Sequence, residues 1–312
     1  MVDIIERIDR NLILKELNNK TFVRRTNNGN KEIFIIDHFN APNTLQEIGR
    51  LRELSFRNAG GGSGKAVDID EYDLSENPFK QLIVWDPECM EIVGGYRFLE
   101  GHIILKSSLD NPDTPTAHLF NLSDVFKTEY LPTTFELGRS FVQPLYQPNY
   151  NLRKGIYSLD NLWDGLGELV VRHPDMKYFF GKITMYPNFN PVARDLIHYF
   201  LNKHFADNKN LVWPIDNLGY KTDTKEFNNI FTGKDYIEDY KILNHSVRNY
   251  GENIPPLVNA YMNLSPTMKY FGTSINSRFG NVEESGILIT INDIYDSKID
   301  RHIKNIIRER IG

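Results

Sequence analysis

Phe135-Glu136-Leu137-Gly138-Arg139-Ser140-Phe141-Val142 is an apolar run that carries one acid and one base. Its aromatic and branched residues predict a buried strand. A lone charge there is costly to bury, so Glu136 and Arg139 either compensate each other or bind something. The run leads into Pro144, a Tyr/Gln/Asn loop, the basic patch Arg153-Lys154-Gly155, and a helical pattern from Ser158 to His173. An acid on a strand, followed by a basic glycine-containing turn at a helix start, predicts a seat for a phosphate-bearing acyl donor.

Upstream of that strand, the spacing of Ile5, Ile8 and Leu12 predicts a helix over about 2–17. Short strands follow near Phe22–Arg25 and Glu32–Asp37. A second helix is expected from about Thr44 to Asn58, with Asn43 as its N-cap. Gln81–Asp86 and Glu91–Leu99, joined through Pro87-Glu88, read as a hairpin. Downstream, a strand is expected at Lys177–Met185 and a helix at Pro191–Phe205, where Pro191 suits the first turn. Another helix is expected around Tyr236–Tyr250. Strands near Thr267–Gly272 and Gly286–Asn292 and a charged helix from Ser297 to Arg310 complete the pattern. Strands and helices mix without strict alternation, which predicts an α+β fold on a mixed sheet.

With 312 residues the chain has room for one large domain or two small ones. Lys+Arg 36 against Asp+Glu 41 gives a formal charge of −5, which argues against wholesale nucleic-acid binding. The single cysteine, Cys89, excludes an internal disulfide and a cysteine-rich metal site, and fits a reducing, cytoplasmic setting. No apolar run is long enough to span a bilayer. Asp3, Glu6, Asp9 and Arg10 interrupt the first apolar residues, so no signal-peptide layout is present. Residues 2–17 are expected on the core; the alternative is a peripheral contact with the cytoplasmic face of a membrane, although their polar face is not basic.

Ala59 through Lys65 nearly fits a phosphate-binding NTPase loop. The physics argues against one: a helix precedes it, and Ala66 stands where a magnesium-binding Ser or Thr belongs. A flexible loop or lid is expected instead. Asp68, Asp70, Glu71 and Asp73 do not fit a calcium-loop pattern. They read either as a solvated acidic loop or as an anionic wall attracting an amine. The histidines show no metal spacing, and no metal site is expected.

Four segments in order form a recognisable series: Leu51-Arg52-Glu53-Leu54-Ser55-Phe56-Arg57, Asp70-Glu71-Tyr72-Asp73, Val93-Gly94-Gly95-Tyr96-Arg97 and Glu136-Leu137-Gly138-Arg139. The series resembles the GNAT-like N-acyltransferases that make ornithine and glycine lipids, often labelled hemolysin-related. It is also similar to the acyl-homoserine-lactone synthases. Ile254-Pro255-Pro256-Leu257-Val258-Asn259-Ala260-Tyr261 and Phe279-Gly280 extend the likeness to the lipid branch, over roughly residues 40–300. Residues 1–40 lie outside it and are expected to complete the core with a helix and strands; 41–312 would form the GNAT-like domain with its C-terminal extension. The glycine-rich loop departs from the aromatic and acidic stretch usual in that family, and Arg153-Lys154-Gly155 is a partial version of its pyrophosphate loop.

The resemblance implies a central, splayed sheet flanked by helices. It implies transfer of a fatty acyl group, 3-hydroxylated in the lipid branch, from the phosphopantetheine of acyl carrier protein or CoA to an amino-acid amine. No permanently bound cofactor is implied. On this reading Glu136 is the base, acting through a water, and Arg139 orients it; the alternative makes them a structural ion pair. Tyr186 would protonate the departing thiolate, by position only. Backbone N–H groups near Phe141 and Val142 would hold the oxyanion. Arg52, Phe56, Asp70, Asp73 and Arg97 match positions on the acceptor side, where Arg52 or Arg97 either holds a carboxylate or pairs with Asp70 or Asp73. Arg153, Lys154 and Gly155 would face the donor's phosphates, with Arg172 and Lys177 adding to a landing patch for acyl carrier protein. Competing expectations are a lactone-type signal synthase, an acetyl-CoA-dependent N-acetyltransferase, a non-catalytic acyl-binding module and a membrane-lytic protein.

Overall fold

The computed structural model describes residues 2–107 and 112–311. Its strands are β1 (Phe22–Arg25), β2 (Glu32–Ile36), β3 (Lys80–Asp86), β4 (Glu91–Glu100), β5 (Phe120–Leu122), β6 (Thr134–Val142), β7 (Tyr178–Met185), β8 (Val212–Pro214), β9 (Lys269–Asn276) and β10 (Val282–Thr290). Eight form one mixed sheet in the order β1-β2-β3-β4-β6-β7-β10-β9, and β5 pairs with β8 separately. β1 and β2 extend this sheet beyond β3, and Ile13, Phe34 and Ile36 pack with Leu45 and Ile83.

The central strands are buried on both faces, as the unbroken burial of β4 shows. Period-two alternation sorts their side chains. Leu82, Val84, Phe98, Phe135, Phe179 and Ile287 join one cluster, beneath the helices Ser158–Arg172, Pro191–Phe205, Tyr236–Asn249 and Pro256–Met262. The opposite face carries two separate clusters. Ile83, Trp85 and Phe141 pack under the helix Pro42–Asn58, and Leu99, Phe180 and Leu288 pack with Ile104 and Phe120.

Two irregularities shape the sheet's centre. β6 and β7 are its one parallel pair, and they pair only from Thr134↔Tyr178 to Glu136↔Phe180 before parting. On its other side β6 carries a bulge: Gly95 faces Phe141 and Arg97 faces Gly138, leaving Arg139 and Ser140 opposite Tyr96. Arg139 accordingly takes a left-handed φ of 48°. Gly94 is required by the close approach of these strands, since a Cβ there would lie 2.3 Å from the Phe141 carbonyl oxygen.

Several expectations need correction. The first helix covers only Arg10–Glu16, capped by Asp9. Residues before it run extended beside the glycine-rich loop, with Val2 N–H donating to Gly64 O and Ile5 N–H to Ala66 O. The second helix begins at Pro42 behind Ala41, so Asn43 is not its cap; Asn43 and Thr44 N–H groups donate to Glu16 instead. No helix among the described residues is long and apolar enough to cross a membrane.

Candidate active site

One polar side chain from each of five adjacent strands lies on the face that carries two apolar clusters: Gln81, Arg97, Glu136, Lys182 and Glu284. All but Lys182 are buried. Where β6 leaves β7, Arg97, Glu136, Lys182 and Glu284 line a wedge of about 70 Å³ between Gly138–Ser140 on one wall and Gly181–Thr184 on the other. Tyr96, Tyr261 and Leu257 close its apolar side, and Phe56 and Phe279 stand at its rim. A second cavity of about 480 Å³ adjoins it. The two share Arg97, Pro115, Arg139, Asn276 and Phe279.

Glu136 sits on the wedge floor. Its Oε1 accepts hydrogen bonds from Thr116 N at 3.2 Å and Thr116 Oγ1 at 2.6 Å, while no described residue donates to Oε2. Lys182 Nζ donates to Thr116 Oγ1 at 2.9 Å and lies 4.0 Å from Glu136 Oε1. Glu284, across the gap, accepts from Asn276 Nδ2 at 3.2 Å through Oε1, and its buried Oε2 has no partner among the described residues.

Arg139 does not pair with Glu136, contrary to both sequence-based expectations. The bulge turns its guanidinium to Asp68 at 2.8 Å and Asp70 at 3.7 Å, and its Cζ lies 4.0 Å from the Phe279 ring centre. It joins a buried network in which Arg97 Nη1 donates to Asp70 at 2.7 Å and Asp73 at 3.1 Å. Arg52 Nη1 donates to Asp73 at 3.3 Å, and its Nη2 donates to Gln81 Oε1. Three arginines thus meet three aspartates, so the acidic stretch is no solvated loop. Burial opposes ionisation of Asp70, but the charges of Arg97, Arg139 and Arg52 hold its carboxyl well below the usual range. Burial also disfavours the Arg97 cation, and Asp73 and Asp70 outweigh it and raise its pKa. For Arg52 burial wins, and its pKa is lowered.

The salt-bridge alternative therefore describes Arg52, which is buried away from both cavities, whereas Arg97 lines both while paired. Phe56 meets Phe279 edge-on at 5.0 Å. Asp70 reaches the larger cavity; Asp73 does not. Phe141 packs its side chain into the core, and the Val142 carbonyl turns away from β4 to accept from Gln147 Nε2 at 2.8 Å. Tyr186 falls outside both cavity linings and packs beside Gly61 and Val282; burial pushes its hydroxyl up to about 12. Arg153, Lys154 and Gly155 form a short helix that lines neither cavity, and Lys154 Nζ lies 3.3 Å from Cys89 Sγ.

The glycine-rich loop is anchored rather than a free lid. Glu53 accepts from Ser63 N at 3.0 Å, Ser63 Oγ at 2.8 Å and Gly64 N at 2.7 Å. A side-chain carboxylate thus occupies the place a phosphate would take. Arg57 ties the loop further, donating to Glu53, to Lys65 O and to Val2 O.

Sequence reasoning passed over Thr116, Lys182, Glu284 and Arg278. Lys182 carries the signal that singled out Glu136, a charge inside an apolar strand; Glu284 precedes the strand expected at Gly286–Asn292, which begins at Val282 instead. Thr116 lies in a turn and Arg278 in the single 3₁₀ turn Ser277–Phe279, too short for a periodicity to mark them.

A mixed sheet whose parallel central strands part beside a bulge, with a buried acid in the gap, defines an acyltransferase of the GNAT fold, and residues 51–154 match the family model of the acetyltransferase (GNAT) domain. A glycine N(alpha)-acyltransferase of Phocaeicola vulgatus is 53% identical over 309 residues, covering 99% of this chain and 95% of that protein. One from Bacteroides thetaiotaomicron is 53% identical over 307 residues, covering 98% and 91%. The chain belongs to the family of these acyltransferases. Among solved structures, a CoA-dependent acyl-homoserine lactone synthase with SAM and isopentyl-CoA is 13% identical, with a TM-score of 0.39 and coverage of 89% of this chain and 88% of that one.

Proposed function

We propose that the protein transfers a fatty acyl group from a phosphopantetheine thioester to the amine of an amino acid, glycine first and ornithine as the alternative, in aminolipid biosynthesis. The parting of β6 and β7 directly after Glu136 carries this reading, because it opens a wedge between the strands that is floored by a carboxylate. The names of the relatives from Phocaeicola vulgatus and Bacteroides thetaiotaomicron support glycine as the acceptor.

On this reading the thioester lies in the wedge against the bulge. The bulged backbone at Arg139-Ser140 supplies donors to the oxyanion, two residues before Phe141 and Val142. Glu136 accepts the amine proton, directly or through a water, while Thr116 and Lys182 fix its carboxylate. Tyr261, rather than Tyr186, delivers a proton to the leaving thiolate. Its ring lines the wedge, and burial together with Tyr96 keeps its hydroxyl protonated and able to donate. Acyl carrier protein is the proposed donor partner, with CoA as the alternative carrier. The proposed setting is the cytoplasm, with peripheral contact at the cytoplasmic face of the membrane.

Purified protein incubated with 3-hydroxyacyl carrier protein, acyl-CoA and a pool of amino acids, followed by mass spectrometry, tests this reading. N-acylglycine is the expected product. Consumption of acetyl-CoA alone would replace it with a short-chain acetyltransferase.

A further inference from the structure

Two connected cavities hold five basic side chains, Lys65, Arg97, Arg139, Lys182 and Arg278. Asp68, Asp70 and Asp73 neutralise Arg97 and Arg139. Lys182 is held by Thr116 beside Glu136. Lys65 and Arg278 form no ion pair with a described residue. Of these two, Arg278 carries the planar fork that matches a carboxylate. Its backbone is fixed, since its N–H donates to Asn276 Oδ1 and the next residue, Phe279, is clamped between Phe56 and Arg139.

The same hairpin carries an unsatisfied acid. Glu284 is 4% exposed and lines the wedge with Oε2 unpartnered among the described residues, an arrangement that costs free energy unless a donor arrives. It lies two residues along β10 from Val282, which pairs with Asn276 at the start of the Arg278 turn. Two strand residues span about 7 Å, a distance that one long arginine side chain closes toward a small bound molecule. An unsatisfied carboxylate at the wedge and an unpaired guanidinium at the mouth complement a zwitterion.

We infer that the β9–β10 hairpin is the acceptor clamp: Glu284 receives the amino group and Arg278 the carboxylate of an α-amino acid. This deepens the proposed amino-acid acylation and rests on it. The clamp binds and positions the acceptor, while removal of the amine proton stays with Glu136.

The test is steady-state transfer from acyl-CoA to glycine and to glycinamide, which keeps the amine and lacks the carboxylate. In wild type glycine is the better substrate. Arg278→Gln raises the KM for glycine about 10- to 100-fold, as expected for loss of a charge-assisted pair, with kcat within about threefold; glycinamide kinetics stay unchanged. Arg278→Lys recovers part of the glycine affinity. Glu284→Gln raises the KM for both amines, separating the two ends of the clamp. Survival of the full preference for glycine in Arg278→Gln would overturn the clamp and leave the proposed function standing. Wild-type protein that acylates none of glycine, glycinamide and ornithine, while consuming an acceptor that is not an amino acid, would overturn both.

Discussion

Lys182 Nζ stands 4.0 Å from Glu136 Oε1, across the gap where β7 leaves β6. The two strands pair no further than Glu136↔Phe180, so this ion pair spans the point at which the sheet opens. Glu136→Gln keeps an acceptor for Thr116 and removes the base. The expected result is an intact fold by circular dichroism and a kcat lower by about 10²- to 10⁴-fold in acyl-transfer assays. Unchanged kcat would move the proton transfer to another group.

Arg97→Met removes the cation that Asp70 and Asp73 share. Breaking a buried pair from one side costs about 3–5 kcal/mol, and urea denaturation should register a loss of that order. Adding Asp70→Asn should restore part of it. Asp70 is held ionised below its ordinary range in the folded chain. Its contribution is therefore complete above the unfolded value of about 3.9 and is lost as pH falls through the folded value. The single variant Asp70→Asn should lose less stability on acidification below about pH 4 than wild type does.

His198 titrates with the opposite charge and the same direction of pH effect. Burial, with Arg194 and Lys221 nearby, pushes its pKa well below the usual histidine value, and its Nδ1 lies 3.0 Å from the Tyr270 hydroxyl. The unfolded chain takes up a proton near pH ~6.5 that the folded chain refuses, so stability falls as pH drops below that point. The slope approaches about 1.4 kcal/mol per pH unit. His198→Gln should give a shallower slope between pH ~5 and ~6.5 in denaturation curves.

Gly280→Ala tests how the glycine-rich loop meets the β9–β10 turn. Gly280 has a φ of 75°, and a Cβ there would lie 3.0 Å from Gly61 Cα. The left-handed backbone alone costs a side chain about 1–2 kcal/mol, and the clash adds to it. A loss above 1 kcal/mol in chemical denaturation, with a raised KM for the acceptor, is the expected outcome.

Much of this arrangement was legible in the chain. β6 spans Thr134–Val142 as its apolar run predicts, and the β3–β4 hairpin and the helix Pro191–Phe205 follow their patterns. These elements are set by local periodicity and turn chemistry, which neighbouring residues specify together. The helix expected over 2–17 failed because Ile5 and Ile8 fit a helical stripe equally well until the glycine-rich loop offers their backbone an extended partner. Lys182 sits in a strand with the same pattern as β6, and only their shared face relates it and Glu284 to Glu136.

The sequence by itself determined β1 to β4, β6 and β7, and that Glu136 and Arg139 are charges costly to bury; it missed β5 and β8 and began β10 four residues late. It left open which charges meet. Arg139 and Glu136 are three residues apart on one strand, and the bulge at Arg139-Ser140 sends the arginine to Asp68 instead. Asp68, Asp70 and Asp73 become a neutralised network only because Arg52, Arg97 and Arg139 arrive from a helix and two strands. Local preference decides an element, but a buried charge is satisfied through space, by partners that only the folded chain brings within hydrogen-bonding distance.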